Sequence, residues 1–426
     1  MRRRTPMLAV QDPQVPDFVD ALQAIETYAE LREILTSRDF EMAGAAERTI
    51  FLEDTLIMSE GARHSELKQL AAPLFSRQVL AYYELHLLAP VIEQVIRDLR
   101  NNRDDGGVVR IDACALIKEA LTRISARVTG VDGIDTPETT ARFRALVLQL
   151  GEATTGIFSA IPQDEVIDLG KQALDALVAE FLQPSLERRK QLTLDFEAGR
   201  IAKEDLPRDV LMTLCLQNDL ARPDDSEKIP YVWRQCTLFL TGSIKTTSHT
   251  LPHIFFHIDE WIREHPEDRD KLGDPEFLHR AAAETFRLHQ TSPVRFRRAL
   301  RDLTLASGRK VAKGELVAMH QPRGNLDPTV WGEDTRYFNP YREVPKGMQP
   351  WGLTFGAGVH TCIGQNLVTG IQNKGDAKLG THGTAVRLLK ALYDLGAELD
   401  PDSPPQRATG TMNDRFATMP MILRAI

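Results

Sequence analysis

A chain of 426 residues, 42% hydrophobic and 26% charged, has the composition of an ordinary soluble protein and is long enough to bury a large core. Its 52 Lys and Arg against 60 Asp and Glu give a net charge of −8, which argues against nucleic-acid binding while leaving room for local basic patches that dock an acidic protein. The first residues carry three arginines with no apolar run behind them, and no stretch approaches ~18 uninterrupted apolar residues, so neither a secretory signal nor a membrane span is expected.

The pattern reads as mainly helical. Ala29 to Thr36 is a short amphipathic run, and Glu66 to Leu74 a second helix. Pro90 fits the first position of a helix or a kink, followed by apolar residues at helical spacing (Val91, Ile92, Val95, Ile96, Leu99). Ile111 to Val128 repeats that pattern. Thr136 is an expected N-cap with Pro137 at the first helical position, and this helix extends to about Phe158. Leu169 to Gly199 and Pro230 to about Glu264 are long helical patterns, the latter interrupted by Pro252; Phe277 to His289 is another. Strand character concentrates in Val294 to Met319, with turns at Ser307-Gly308 and Lys313-Gly314. Asn325 to Leu353 is rich in Pro, Gly and aromatics and reads as an ordered meander. Helix resumes after Cys362 and again over Thr384 to Leu395. With no repeat and no interdomain linker, residues 1–426 are expected to form a single, mainly α domain with a small β region.

Four cysteines, Cys114, Cys215, Cys236 and Cys362, are far apart and form no Cys-x-x-Cys pair, so zinc and a disulfide scaffold are both disfavoured and a reduced, cytoplasmic compartment fits. The first three sit in apolar helical patterns and read as core. Cys362 lies instead in the string Phe355 to Gly364 (FGAGVHTCIG). A thiolate that binds a metal needs a tightly turned backbone, which Gly356, Gly358 and Gly364 permit. It also needs backbone N–H groups near the sulfur and a following helix N-terminus to lower its pKa.

This string resembles the haem-binding loop of the cytochrome P450 family. The resemblance implies the cytochrome P450 fold, with Cys362 as the axial ligand of a haem b iron, Phe355 and Gly364 shaping the loop, and His360 near a haem propionate. A thiolate ligand favours O–O cleavage. Upstream, Glu284-Thr-Phe-Arg287 resembles the family's Glu-x-x-Arg, whose members share one helix face. In the family this pair is structural and is joined by a meander arginine, here Arg342 in preference to Arg336. Gly242-Ser-Ile-Lys-Thr-Thr247 resembles the family's small-Gly-x-acid-Thr-Thr segment, making Thr246 the threonine that assists proton delivery. His64 and Lys68 resemble a His-x-x-x-Arg pair that meets a propionate, and Arg297, with Arg295 and Arg298 as alternatives, resembles a propionate-binding arginine.

Three departures stand out. Lys245 replaces the family's acid and reverses its charge. Three readings remain open: pairing with a nearby carboxylate, binding an acidic substrate group, or a different proton route, including peroxide use. The N-terminal part is short, which implies an abbreviated first helix and strand. Gly370 to Gly383 holds four glycines and reads as a loop insertion where the family continues a helix. The resemblance implies a monooxygenase that places one oxygen atom from dioxygen into an apolar small molecule. Its electrons come from separate partners, a ferredoxin and its reductase. The alternatives are a peroxide-using or non-hydroxylating haem-thiolate enzyme and a haem protein without turnover. Expected substrate-facing segments are the stretch before His64, Leu146 to Phe181, Phe239 to Thr246 and the strand near Val294, with Phe158, Phe239 and Phe296 as apolar lining.

Overall fold

The computed structural model of the chain describes residues 9–43, 50–100, 108–221, 227–372 and 380–424. In chain order the strands are β1 (Gln23–Ile25), β2 (Phe40–Ala43), β3 (Val109–Asp112), β4 (Arg295–Ala299), β5 (Leu303–Thr304), β6 (Lys310–Val311), β7 (Leu316–Met319), β8 (Ala397–Leu399), β9 (Gln406–Arg407), β10 (Phe416–Thr418) and β11 (Pro420–Leu423). The α-helices run α1 (Tyr28–Thr36), α2 (Gly61–Ala71), α3 (Arg77–Tyr83), α4 (Ala89–Arg100), α5 (Ala113–Thr129), α6 (Pro137–Ala153), α7 (Gln163–Leu177) and α8 (Gln183–Glu197). They continue with α9 (Val210–Gln217), α10 (Ile229–Glu264), α11 (Pro275–Leu288), α12 (Gln321–Asn325), α13 (Pro328–Trp331), α14 (Gln365–Thr369) and α15 (Gly383–Tyr393). The chain folds as two compact units, residues 1–44, 94–117 and 248–426, and residues 45–93 and 118–247.

The first unit holds the sheets. Its main sheet has the order β1-β7-β4-β2, with β1 parallel to β7 and the other pairs antiparallel. Its core joins Ile25, Leu31, Ile34 and Phe40 to Val317, Met319, Trp331 and Leu353. A second sheet, β3-β11-β8, is antiparallel throughout. The chain enters it through Val109–Asp112, where a continuous helix is expected from Ile111. Backbone pairing with Pro420–Leu423 claims these residues as strand. The helix begins one residue later, with Asp112 accepting a bond from the Cys114 N–H. Ahead of β1 lies a five-residue 3-10 helix, Asp17–Ala21.

The second unit is helical. Its core packs Phe51, Phe143, Leu150, Leu177, Leu186, Leu211, Leu240 and Ile244. The Thr136 hydroxyl accepts from the Thr139 N–H and Pro137 takes the first position of α6. That helix ends at Ala153, before a separate 3-10 turn at Gly156–Phe158. The expected Leu169–Gly199 helix starts earlier, at Gln163, and passes through a π-turn at Val178–Leu182. One continuous helical run, Arg77–Leu99, is long and apolar enough on average to cross a membrane, and 39% of its apolar window is buried in the protein.

Helix α10 corrects the expected interruption at Pro252: it runs unbroken for 36 residues. A proline in a helix interior costs about 3 kcal/mol. Burial of every residue from Thr247 to Phe255 offsets that cost.

Candidate functional site

In the first unit, the segment Phe355–Gly364 forms a turn closed by two backbone bonds. Cys362 N–H donates to Phe355 O at 2.8 Å and Gly356 N–H to Leu353 O at 2.9 Å. Gly356 and Gly358 adopt φ of 75° and 69°. A Cβ on Gly358 would lie 2.7 Å from Leu35 O, so glycine is required both by conformation and by close backbone approach. The outcome is selective: Cys114, Cys215 and Cys236 are buried, whereas Cys362 is exposed. A Cβ at Gly364 would lie 3.9 Å from the Cys362 sulfur, an ordinary contact distance. Helix α14 follows but has only five residues, which reduces the contribution expected of its N-terminus. Phe355 packs edge-on against Phe286 and Trp351. His360 ends the short 3-10 turn Gly358–His360.

Behind this turn, Glu284 and Arg287 form a buried, two-pronged pair at 2.7 and 2.8 Å. Arg342 adds a bond to Glu284 at 2.9 Å and is 8% exposed. Arg336 lies elsewhere, bonded to Asp12. Arg287 also donates to Asn325 O and Thr335 O, both at 2.8 Å. Asn325 is a hub with no motif to announce it. Its amide donates to Arg287 O and Thr354 Oγ1, and its carbonyl accepts from Leu353 N–H at 2.8 Å. Thr354 in turn donates to Phe286 O at 2.6 Å. A buried ion pair thus fastens the end of α11 to the residues that lead into the cysteine turn. A cavity of about 730 Å³ opens between α11 and the meander beside Glu284, Arg342 and His382, and none of its lining residues belongs to the segments expected to meet substrate.

In the second unit, Gly242 and Thr246 form an exposed notch on a stretch of α10 whose neighbours Leu240, Ile244 and Thr247 are buried. A Cβ on Gly242 would meet nothing within 4 Å, so open space lies over it. The Thr246 hydroxyl donates to Gly242 O one turn back. Lys245 points the other way and is buried. Its ammonium donates to Gly151 O at 2.9 Å and Thr155 Oγ1 at 2.5 Å, and pairs with Glu152 at 3.3 Å. Three N–H groups therefore meet three acceptors at the end of α6. A Cβ on Gly151 would lie 3.2 Å from Lys245 Cδ, which brings the lysine stem against the α6 backbone.

The expected propionate partners fall on separate elements. His64 is buried and Lys68 half-buried, one turn apart on α2. Arg297 is buried on β4, donating to Phe296 O at 3.1 Å and lying against Met42 Sδ. Arg295 is half-buried; Arg298 is exposed and bonded to Gly314 O. Of the expected apolar lining residues, Phe158 is 1% exposed, Phe239 packs on Phe75, and Phe296 packs on Phe18.

An exposed thiol on a glycine-shaped turn, locked by a buried Glu-Arg-Arg cluster, fits a haem-thiolate oxidoreductase. The cytochrome P450 family profile matches residues 18–369, and the chain belongs to that family. The match ends at the last residue of α14. Cytochrome P450 734A1 from Arabidopsis thaliana is 25% identical over 373 residues, covering 79% of this chain and 68% of that protein. Linalool 8-monooxygenase from Pseudomonas putida is 32% identical over 133 residues, covering 31% of this chain and 30% of that protein. Among solved structures, P450BioI with an acyl carrier protein ligated to hexadec-9Z-enoic acid has a TM-score of 0.69 at 14% identity, covering 98% of this chain and 95% of that one. HmtT, involved in himastatin biosynthesis, has a TM-score of 0.69 at 20% identity, covering 99% and 95%. At those identities the likeness is one of fold. The family implies a haem cofactor, and Cys362, the exposed cysteine on its open turn, is a suitable ligand.

Proposed function

We propose that this protein is a haem-thiolate monooxygenase that acts on an apolar small molecule. The observation that carries the reading is the exposed Cys362 thiol on a turn that Gly356 and Gly358 alone can make. Haem b, when bound, supplies the dioxygen chemistry. The protein holds the cofactor through Cys362, with Phe355, His360 and Gly364 forming the loop around it. Arg297, His64 and Lys68 are the side chains assigned to its propionates. Thr246 presents its hydroxyl on the open notch beside Gly242, where Oγ1 donates its single proton to Gly242 O and its lone pairs can accept a hydrogen bond from the open side. Lys245 is a positioning residue: its protons are met at the end of α6, which favours carboxylate pairing over contact with an acidic substrate. Residues 1–426 act as one P450 domain in a cytoplasmic setting, receiving electrons from a separate ferredoxin and its reductase.

The deciding experiment is the reduced, carbon-monoxide difference spectrum of the purified protein and of Cys362→Ala. A thiolate-type Soret band in the parent, absent from the variant, is expected. A haem-free parent or an unchanged variant overturns the reading. A second reading, peroxide-driven turnover, is favoured by the loss of the family's carboxylate at Lys245. Product formed with peroxide alone, and none with reductant and partner proteins, selects it.

A further inference from the structure

Within the first unit, four ionisable groups with no part in the haem reading stand in a row. Asp414, in the connection between β9 and β10, has Oδ2 2.6 Å from Nδ1 of His289, the C-cap of α11. Nε2 of His289 lies 2.7 Å from Nε2 of His257 on α10. Nδ1 of His257 faces Oε2 of Glu260 at 3.6 Å, one turn further along the same helix. These last two atoms are fully buried and have no other hydrogen-bond partner.

Three gaps join the four groups, and each gap needs one proton to become a hydrogen bond. Two neutral imidazoles bring two. Burial holds His257 down to about 4, in keeping with a neutral ring. The third proton is additional, whichever atom carries it. Counting charge leads to the same number. Asp414 and Glu260 bring two negative charges, and the Arg407 guanidinium bonded to Asp414 brings one positive charge. One more proton makes the row neutral, which matters most at its buried Glu260 end, since Asp414 is 34% and Arg407 49% exposed. His253 adds no charge: its Nε2 is 3.1 Å from Asp414 O, its Nδ1 faces Arg407 at 3.5 Å, and burial depresses its pKa. Apolar rings also face His257, Phe338 lying parallel at 5.0 Å and Phe256 edge-on at 5.7 Å.

His253, His289 and Asp414 also have the composition of a cation site, with donor atoms within 4.8 Å of one another. Two features oppose that use. Arg407 already occupies the carboxylate, and the rings of His253 and His289 stack at 3.8 Å instead of converging on a common point.

We propose that Asp414, His289, His257 and Glu260 form a relay, buried from His289 to Glu260, that binds one proton beyond those of its two imidazoles, closing the gap between His257 and Glu260. The two imidazole protons tie α10, the end of α11 and the β9–β10 hairpin together, and the additional one joins two residues one turn apart on α10. Its apparent midpoint belongs to the pair, not to either residue.

The test is a difference titration of the native holoprotein against Glu260→Gln, whose amide N–H replaces the proton permanently. The parent is expected to release about one proton per molecule more than the variant as pH rises above neutrality. Release of that proton in the ordinary carboxylate range, about pH 4, overturns the relay. Should Glu260→Gln fail to fold, His257→Phe removes the acceptor, and the extra release above neutrality should vanish; its persistence refutes the assignment. One equivalent of zinc bound by the parent but not by Asp414→Asn also refutes it, in favour of a metal site.

Discussion

Lys245 shows how one residue can reverse a charge and still be satisfied. Its three acceptors all belong to the end of α6, and Glu152 is a third exposed, so solvent shares the charge. Lys245→Met should cost about 1–3 kcal/mol, through loss of the charge-assisted bonds to Gly151 O and Thr155 Oγ1, although the Thr154 and Thr155 hydroxyls still donate to that carbonyl. Lys245→Asp, which restores the family's acid, should cost more, because the shorter side chain withdraws from those acceptors and adds a second negative charge near Glu152. Urea unfolding of the two variants tests the order; equal midpoints for parent and Lys245→Asp would rule it out. Arg287 is the opposite case, fully buried with Glu284 and Arg342. Arg287→Ala leaves a buried carboxylate with one of its two cations, so a loss of about 3–5 kcal/mol is expected. Weakened haem retention should accompany it, measured as the ratio of Soret to protein absorbance.

At the scale of elements, glycine geometry distinguishes turns that matter from turns that merely bend. Gly383 and Gly308 have φ of 75° and 88°. A Cβ on Gly383 would lie 2.3 Å from Gly370 N, whereas one on Gly308 would meet nothing within 4 Å. Gly308→Ala should cost about 1 kcal/mol from backbone strain alone. Gly383→Ala should cost several times more and loosen the start of α15, because the backbone of Gly370 must shift. Thermal unfolding of both variants decides this; equal losses would show that the close approach yields easily. Gly383, with Gly370, also frames the expected insertion. Gly370 and Gly383 flank the bridge between Ile371 and Thr381, while residues 373–379 lie outside the described structure.

Over the whole molecule, ion pairs set the acid limb of stability. Burial raises Glu30, but bonds from Arg309 and Ser307 outweigh it and hold the carboxyl below its ordinary range. A carboxyl depressed in the folded state contributes stability above its unfolded pKa and loses it as pH falls. Stability should therefore decline below about pH 4. Arg309→Ala should lower the urea midpoint at neutral pH and make the acid decline shallower, since Glu30 then titrates near its unfolded value. An unchanged acid limb would exclude Glu30 as a contributor.

The family, the cysteine turn and the mainly helical class were legible in the chain because each is written in contiguous residues: FGAGVHTCIG, the Glu-x-x-Arg spacing and runs of helical periodicity. Local reading failed where a distant partner outweighed local preference. Val109–Asp112 became strand because Pro420–Leu423 pairs with it, and Pro252 remained inside α10 because burial offsets its missing N–H. Tertiary structure chose Arg342 over Arg336, made Asn325 the hub behind the cysteine turn, gave Lys245 its acceptors, and gathered Asp414, His289, His257 and Glu260 into one row. Except for His257 and Glu260, which are one helical turn apart, these contacts join residues 28 to 125 positions apart, and only the packing of whole elements brings such residues within hydrogen-bond reach.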